Sequence, residues 1–314
     1  MKDIYPHANT IVCIEESKLL KEFEYDILYN AKGLQETLDE LNSINYFHSH
    51  KNADIFNHGT MLDRLTKATF DLLKEIAPTE LIWRIFALYY DIHNMKLVVK
   101  EKFFSQKLDH MALDFGSYTL PTIRSASVRE SDNILRNEML TKGFFEALRC
   151  KDIYDVEFIL DKTYFRTLRK MAEQLEVPEI LDFVKERIDL YNISAYFQSL
   201  AAGSPEGYLA KAFSDQGNFP LSEWEALRMK YYHIWESPEE SRLEMLARLD
   251  VLSDNYLITK TRICKLMAFS YEPICAYFFN KFMEIKNIRI MLTGKESNSD
   301  ISRIQKRMRI PYEL

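Results

Sequence analysis

Three pairs of polar residues recur at a spacing that could do chemistry: Asp91 with Asn94, Asp189 with Asn192, and Glu284 with Asn287. A step of three puts the acid and the amide on one face of a helix. Such a pair could help hold a divalent cation, meet a partner, or join neighbouring helices through satisfied polar bonds. A metal-dependent all-α enzyme would want several acids converging on one point, whereas here a single acid per pair stands among aromatic residues. Catalysis therefore fits least well, and a structural or partner-binding use fits better. His48, His50 and His58 also invite a metal reading. No cysteine or clearly placed acid completes that set, so a solvated turn is the expectation. Phosphate-loop, dinucleotide-binding, zinc-protease and serine-elbow motifs are all missing from the sequence, and no catalytic residue, metal or cofactor is expected.

The pairs share a frame, acid-x-x-Asn-(Ile/Met), and each follows a proline by a similar gap: Pro78, Pro178 and Pro273. Successive copies lie 98 and 95 residues apart, and Asp63 precedes Asp91 by the same 28 residues that separate Asp161 from Asp189. Self-similarity of this kind sets architecture. It predicts three copies of one helical unit, over 1–108, 109–203 and 204–314, with 109–126 as a loop or linker. Extended helical solenoids repeat every 34 to 47 residues or so, so three large units point to a compact assembly. A helical scaffold for cytosolic partners remains an alternative use of the same features.

The elements that must position the pairs are long helices. Glu272 and Pro273 suit a first helical turn. Ile274, Tyr277, Phe278, Phe282, Ile285, Ile288 and Leu292 then recur at steps of three and four, with Gly294 as the expected stop. Similar patterns predict helices over 53–76, 79–106, 129–149, 153–176 and 178–202. The first fifty residues suggest two, one carried by Leu19, Leu20, Phe23, Ile27 and Leu28 and closed by Gly33, and one by Leu38 and Leu41. Ser204-Pro205, Ser222-x-x-Glu225 and Ser237-x-x-Glu240 have the form of helix starts. The last of these opens a long helix towards Phe269, and Ser299–Met308 forms a basic terminal helix. No strand pattern is visible, so the expected class is all-α.

Composition narrows the role. Only 8 glycines in 314 residues suit helices with short connections. A net charge of −6 argues against general nucleic-acid binding. Charge is uneven: residues 1–50 carry nine acids against four lysines, and 281–314 carry eight Lys and Arg against four acids. Such asymmetry suits a partner-binding role, although a solvated helical face is the more frequent cause of it. The four cysteines have no paired spacing, which points to a reducing compartment. No signal peptide or membrane span is apparent, so a cytosolic location, or membrane attachment through partners alone, is expected.

These residues resemble a known family. The C-terminal block, with Glu272-Pro273, Ala276-Tyr277, Glu284, Asn287-Ile288-Arg289 and Gly294-Lys295, is similar to the C subunit of bacterial and archaeal V/A-type rotary ATPases, whose eukaryotic counterpart is the d subunit. Tyr5, Ala8-Asn9, Leu19-Leu20, Tyr46, Asp91-x-x-Asn94-x-Lys96 and Asp189-x-x-Asn192 extend the resemblance over nearly the whole chain. Two departures stand out. The residues after Asn9 lack the family's frequent arginines, and Ser194 stands where the other copies have Lys96 and Arg289. The resemblance implies a non-catalytic, funnel-shaped protein of three pseudo-equivalent helical bundles. It would receive the central shaft on one side, rest on the membrane rotor ring on the other, and transmit torque between them. Candidate partner-binding residues are the three pairs together with Lys96, Arg289, Arg303 and Arg307.

Overall fold

The computed structural model describes residues 4–47, 58–129, 135–201, 205–235, 242–267 and 270–312. Among them every regular element is a helix, with no strand. The first helices are α1 (Ile4–Glu16), α2 (Glu22–Asn30), α3 (Leu34–Ser43) and α4 (His58–Ile76). Next come α5 (Glu80–Phe104), α6 (Leu120–Arg129), α7 (Glu138–Leu148), α8 (Ile153–Gln174), α9 (Pro178–Ala201), α10 (Pro205–Ala212), α11 (Trp224–Lys230) and α12 (Tyr232–Trp235). The chain ends with α13 (Arg242–Thr261), α14 (Glu272–Glu296) and α15 (Ile301–Gln305).

The helices form two compact units, one from residues 1–78 and 234–314 and the other from 79–233. In the first unit α14 packs against α1, α3, α4, α13 and α15. It is therefore buried on most of its circumference, not along one stripe. Leu28, Leu38, Leu41 and Leu62 close on Ile288, Met291 and Leu292 of α14 to form the core, each contributing about 2 kcal/mol by leaving water. In the second unit α8 lies between α5, α7 and α9, with α6 against α5. Side-chain caps start these helices. Thr79 Oγ1 accepts from Leu81 N–H at 3.4 Å, Asn137 Oδ1 from Leu140 N–H at 3.1 Å, and Asp152 Oδ1 from Tyr154 N–H at 2.9 Å. Such caps are worth about 1 kcal/mol each.

Several local expectations change. Residues 4–47 hold three helices, where two were expected over the first fifty, because Ala8 and Val12 already anchor α1. Leu19 and Leu20 lie before α2, and Phe23 and Ile27 of its predicted stripe are exposed, while Tyr25 and Leu28 are buried. Residues 109–126, read as a loop or linker, hold a 3-10 turn at Asp109–Met111, an irregular stretch and most of α6. The buried face of α6 is only Ile123, Ala126 and Ser127, too small a set for periodicity to reveal. The 129–149 helix begins only at Glu138, where Asn137 caps it. Ser222 and Glu225 form no capping box, since Leu221–Glu223 is a 3-10 turn. The helix after Ser237 begins among the described residues at Arg242 and gives way to a 3-10 turn at Arg262. Gly294 does not stop α14, which runs on to Glu296; a Cβ there would collide with Ile304, so the glycine admits α15. The terminal helix is shorter than expected, Ile301–Gln305. His48, His50 and Ser237 lie outside the described residues.

Candidate functional site

Each acid-x-x-Asn pair sits in the middle of a long helix and grips a stretch of chain far along the sequence. The pair on α9 is the most complete. Asn192 Nδ2 donates to Ser214 O at 2.9 Å, and Ser214 N–H donates to Asn192 Oδ1 at 2.8 Å. One amide thus satisfies both backbone groups of one residue. Asp189 Oδ1 accepts Asn218 N–H at 2.8 Å, while its Oδ2 takes Asn218 Nδ2 at 2.7 Å and the Tyr231 hydroxyl at 3.1 Å. Burial pushes the Asp189 carboxyl above its ordinary pKa, and the bonds from Asn218 and Tyr231 pull it back.

The pair on α5 repeats the pattern. Asn94 Nδ2 donates to Leu113 O at 2.8 Å and Leu113 N–H returns a bond of 3.1 Å, while Asp91 Oδ1 accepts Tyr118 N–H at 3.0 Å. Burial raises the Asp91 carboxyl to about 7, against the bonds from Tyr118 and Ser117. In both places a glycine lies against the acid. A Cβ at Gly116 or Gly217 would fall well inside van der Waals contact of Asp91 Oδ1 or Asp189 Oδ1, so only glycine lets the turn close.

The pair on α14 keeps the amide half and changes the acid half. Asn287 Nδ2 donates to Arg309 O at 3.0 Å and Arg309 N–H donates to Asn287 Oδ1 at 2.8 Å. Glu284, however, takes Leu20 N–H at 2.6 Å and Lys281 Nζ at 2.6 Å. It pins the turn between α1 and α2, not the segment that Asn287 holds. All six residues are at most 5% exposed, and every bond named for them is to this chain itself. These are clasps between helix and loop.

The basic residues five positions after the acids explain the second spacing. Lys96 Nζ lies 2.6 Å from both Glu157 and Asp161 on α8. Burial alone would lower the lysine, but these carboxylates outweigh it and raise its pKa. Arg289 Nη2 lies 3.0 Å from Asp63 on α4. In each case the cation of one copy meets the aspartate that precedes another copy's acid by 28 residues. At the remaining positions the sequence has Ser194 and Tyr256, so neither charge of a third such pair exists. The two pairs differ in exposure. Lys96 is 18% exposed at its side chain, whereas Arg289 and Asp63 are 46% and 49%, and an exposed pair is worth little.

Of the remaining candidates, Arg303 and Arg307 are exposed, and no ion pair is found for either among the described residues. Arg309 is different. It is 4% exposed, its Nε lies 2.8 Å from Asp254, and its Nη2 meets Asp250. It anchors the tail to α13. Among the described residues no cluster of three His, Cys, Asp or Glu could hold a metal, the four cysteines form no disulfide, and no helix is long and apolar enough to cross a membrane. Sequence reasoning missed the receiving loops. Their signal was present: Leu113-Asp114-Phe115-Gly116-Ser117-Tyr118 and Ser214-Asp215-Gln216-Gly217-Asn218-Phe219 share Asp, Gly and a closing aromatic at a separation of 101 residues.

A sequence model of the family described as ATP synthase (C/AC39) subunit matches residues 8–307. The C subunit of the V-type sodium ATPase of Enterococcus hirae is 26% identical over 264 residues, covering 78% of this chain and 80% of that protein. The C subunit of the A-type ATP synthase of Methanococcoides burtonii is 23% identical over 325 residues, covering 95% and 87%. Its counterpart in Thermococcus kodakarensis is 21% identical over 313 residues, covering 92% and 86%. With the match spanning nearly its full length, the chain belongs to the ATP synthase (C/AC39) subunit family, the non-catalytic C subunits of V-type and A-type ATPases.

Proposed function

We propose that this chain is the socket between the central shaft and the membrane rotor ring of such a complex, and that it passes torque from one to the other. The observation that carries the reading is the family match over residues 8–307. The clasps support it mechanically. A coupler must resist twisting, and each clasp ties a loop to the middle of a long helix through side chains at most 5% exposed. In this reading three similar units, 1–108, 109–203 and 204–314, surround an axis as a funnel. Asp91, Asp189 and Glu284 stand at like depths about that axis. The chain sits at the cytoplasmic face of the membrane, held there by its partners, and ion choice belongs to the ring.

Contact with partners falls to the exposed cations, Arg303 and Arg307 first and then Arg289, whose bond to Asp63 is open to solvent. The six clasp residues and Lys96 act indirectly, by holding the surface that partners meet. A surface that faces a ring of many subunits cannot match each one residue by residue, so broad charge complementarity is the fitting mode of contact. Co-purification tests the proposal. Tagged chain should retain shaft and ring subunits from detergent-solubilised membranes, and a preparation of the intact complex that lacks this chain would refute it.

A further inference from the structure

The third clasp differs from the other two in what fills the space beside its acid. On α5 and α9 a glycine turn closes against the aspartate. The segment held by Asn287 runs Arg309-Ile310-Pro311-Tyr312, with no glycine, and Pro311 has no N–H to offer. Glu284 is instead met from the α1–α2 turn. Beside it lies a cavity of about 10 Å³, lined by Leu20, Tyr25, Asn280, Glu284, Asn287 and Pro311, among others.

Asn280 gives that cavity a polar demand. Its Nδ2 donates to Thr261 Oγ1 at 2.8 Å and to Ala276 O at 2.7 Å. A carbonyl only accepts, so the bond to Ala276 fixes which way the amide points. Oδ1 is then left without a hydrogen bond, on a residue only 3% exposed. A buried acceptor in that condition costs about 1–3 kcal/mol.

We propose that the third clasp holds one buried water molecule between Asn280 Oδ1, the Glu284 carboxylate and the Tyr25 hydroxyl. The volume is at the threshold for a single water, and a buried water takes two to four polar partners. Water can donate to both the amide oxygen and the carboxylate and can accept from the tyrosine. Neutral water also suits the charge balance better than a cation, because Lys281 already lies 2.6 Å from Glu284. The water does for the third copy what the glycine turn does for the others, so the clasp is completed by solvent and not by backbone.

The test is a crystal structure of the full chain at a resolution that shows ordered solvent. One peak within hydrogen-bonding distance of Asn280 Oδ1 and Glu284 is expected, and its loss in the Asn280→Leu variant. A dry cavity would overturn the proposal. So would Tyr25 or Asn280 closing the space, or a peak with the short contacts and high coordination of a metal ion. The wild-type structure decides even if the variant does not fold.

Discussion

Replacing Asn192 by alanine removes both bonds that hold residue 214. Asn192 is fully buried and Ser214 is 2% exposed, so the Ser214 N–H and C=O lose their partners where water does not reach. Each unsatisfied buried group costs about 1–3 kcal/mol; two give about 2–6 kcal/mol, with the lower half favoured because the loop can relax outwards. A loss near 3 kcal/mol is a large share of a total stability of about 5–15 kcal/mol. Asn94→Ala breaks the same two bonds, but Leu113 is only half-buried, so its cost should be smaller, about 1–2 kcal/mol. Both replacements lie in the unit that contains Trp83 and Trp224, two of the three tryptophans, so tryptophan fluorescence in urea reports largely on it. With a slope of about 3 kcal/mol/M, the Asn192→Ala midpoint should fall by about 1 M at unchanged slope. A shift below about 0.5 kcal/mol, or a larger cost for Asn94→Ala than for Asn192→Ala, would refute the clasp reasoning.

Three further outcomes follow from the same geometry. Gly217→Ala drives a methyl into Asp189 Oδ1 and should cost about 1–3 kcal/mol through overpacking; thermal melting within 1 °C or so of wild type would mean that the turn does not need glycine. The Asp91 carboxyl, raised from 3.8 to about 7 by burial, binds more protons folded than unfolded between those values. Its contribution is therefore complete below pH 3.8 and is lost as pH rises through about 7, by up to about 4 kcal/mol. Asp91→Asn keeps an acceptor for Tyr118 N–H without titrating, so it should gain on wild type between pH 5 and pH 8; a constant difference in urea midpoints across that range would contradict the sign. Joint reversal of Arg303 and Arg307 to glutamate should weaken assembly with rotor subunits several-fold while leaving the melt unchanged, since exposed rim charges act on association; full assembly would remove both from the contact.

The recurring acid-x-x-Asn pairs and the long helices were legible because both leave countable marks. A proline near each helix start and an acid-x-x-Asn pair could be counted without coordinates. The pairs could not tell, however, what they bonded. Hydrogen bonds from Asn94 to Leu113 or from Asn192 to Ser214 run from side chain to backbone, and the receiving backbone has no preferred residue type. Gly294 was readable as a break, but no glycine was readable as a contact: Gly116 and Gly217 are small because a carboxylate lies against them, and Gly294 because Ile304 does. Helix α6 escaped notice because alanine and serine supply part of its buried face. The 28-residue spacing of Asp63 and Asp161 acquired a meaning only once their cations were found five positions beyond the acids of other copies. Exposure then sorted the candidates, since a sequence does not distinguish the buried Arg309 from the exposed Arg307 two positions before it.

In the proposed role the chain couples shaft to ring and performs no chemistry of its own. The most direct measurement is ATP-driven ion uptake alongside ATP hydrolysis, in sealed vesicles bearing the complex with and without this chain. With the chain present, uptake and hydrolysis should rise together. Without it, the catalytic sector should still hydrolyse ATP while uptake falls to background, and adding the purified chain should restore uptake. Coupled uptake that persists in its absence would contradict the account.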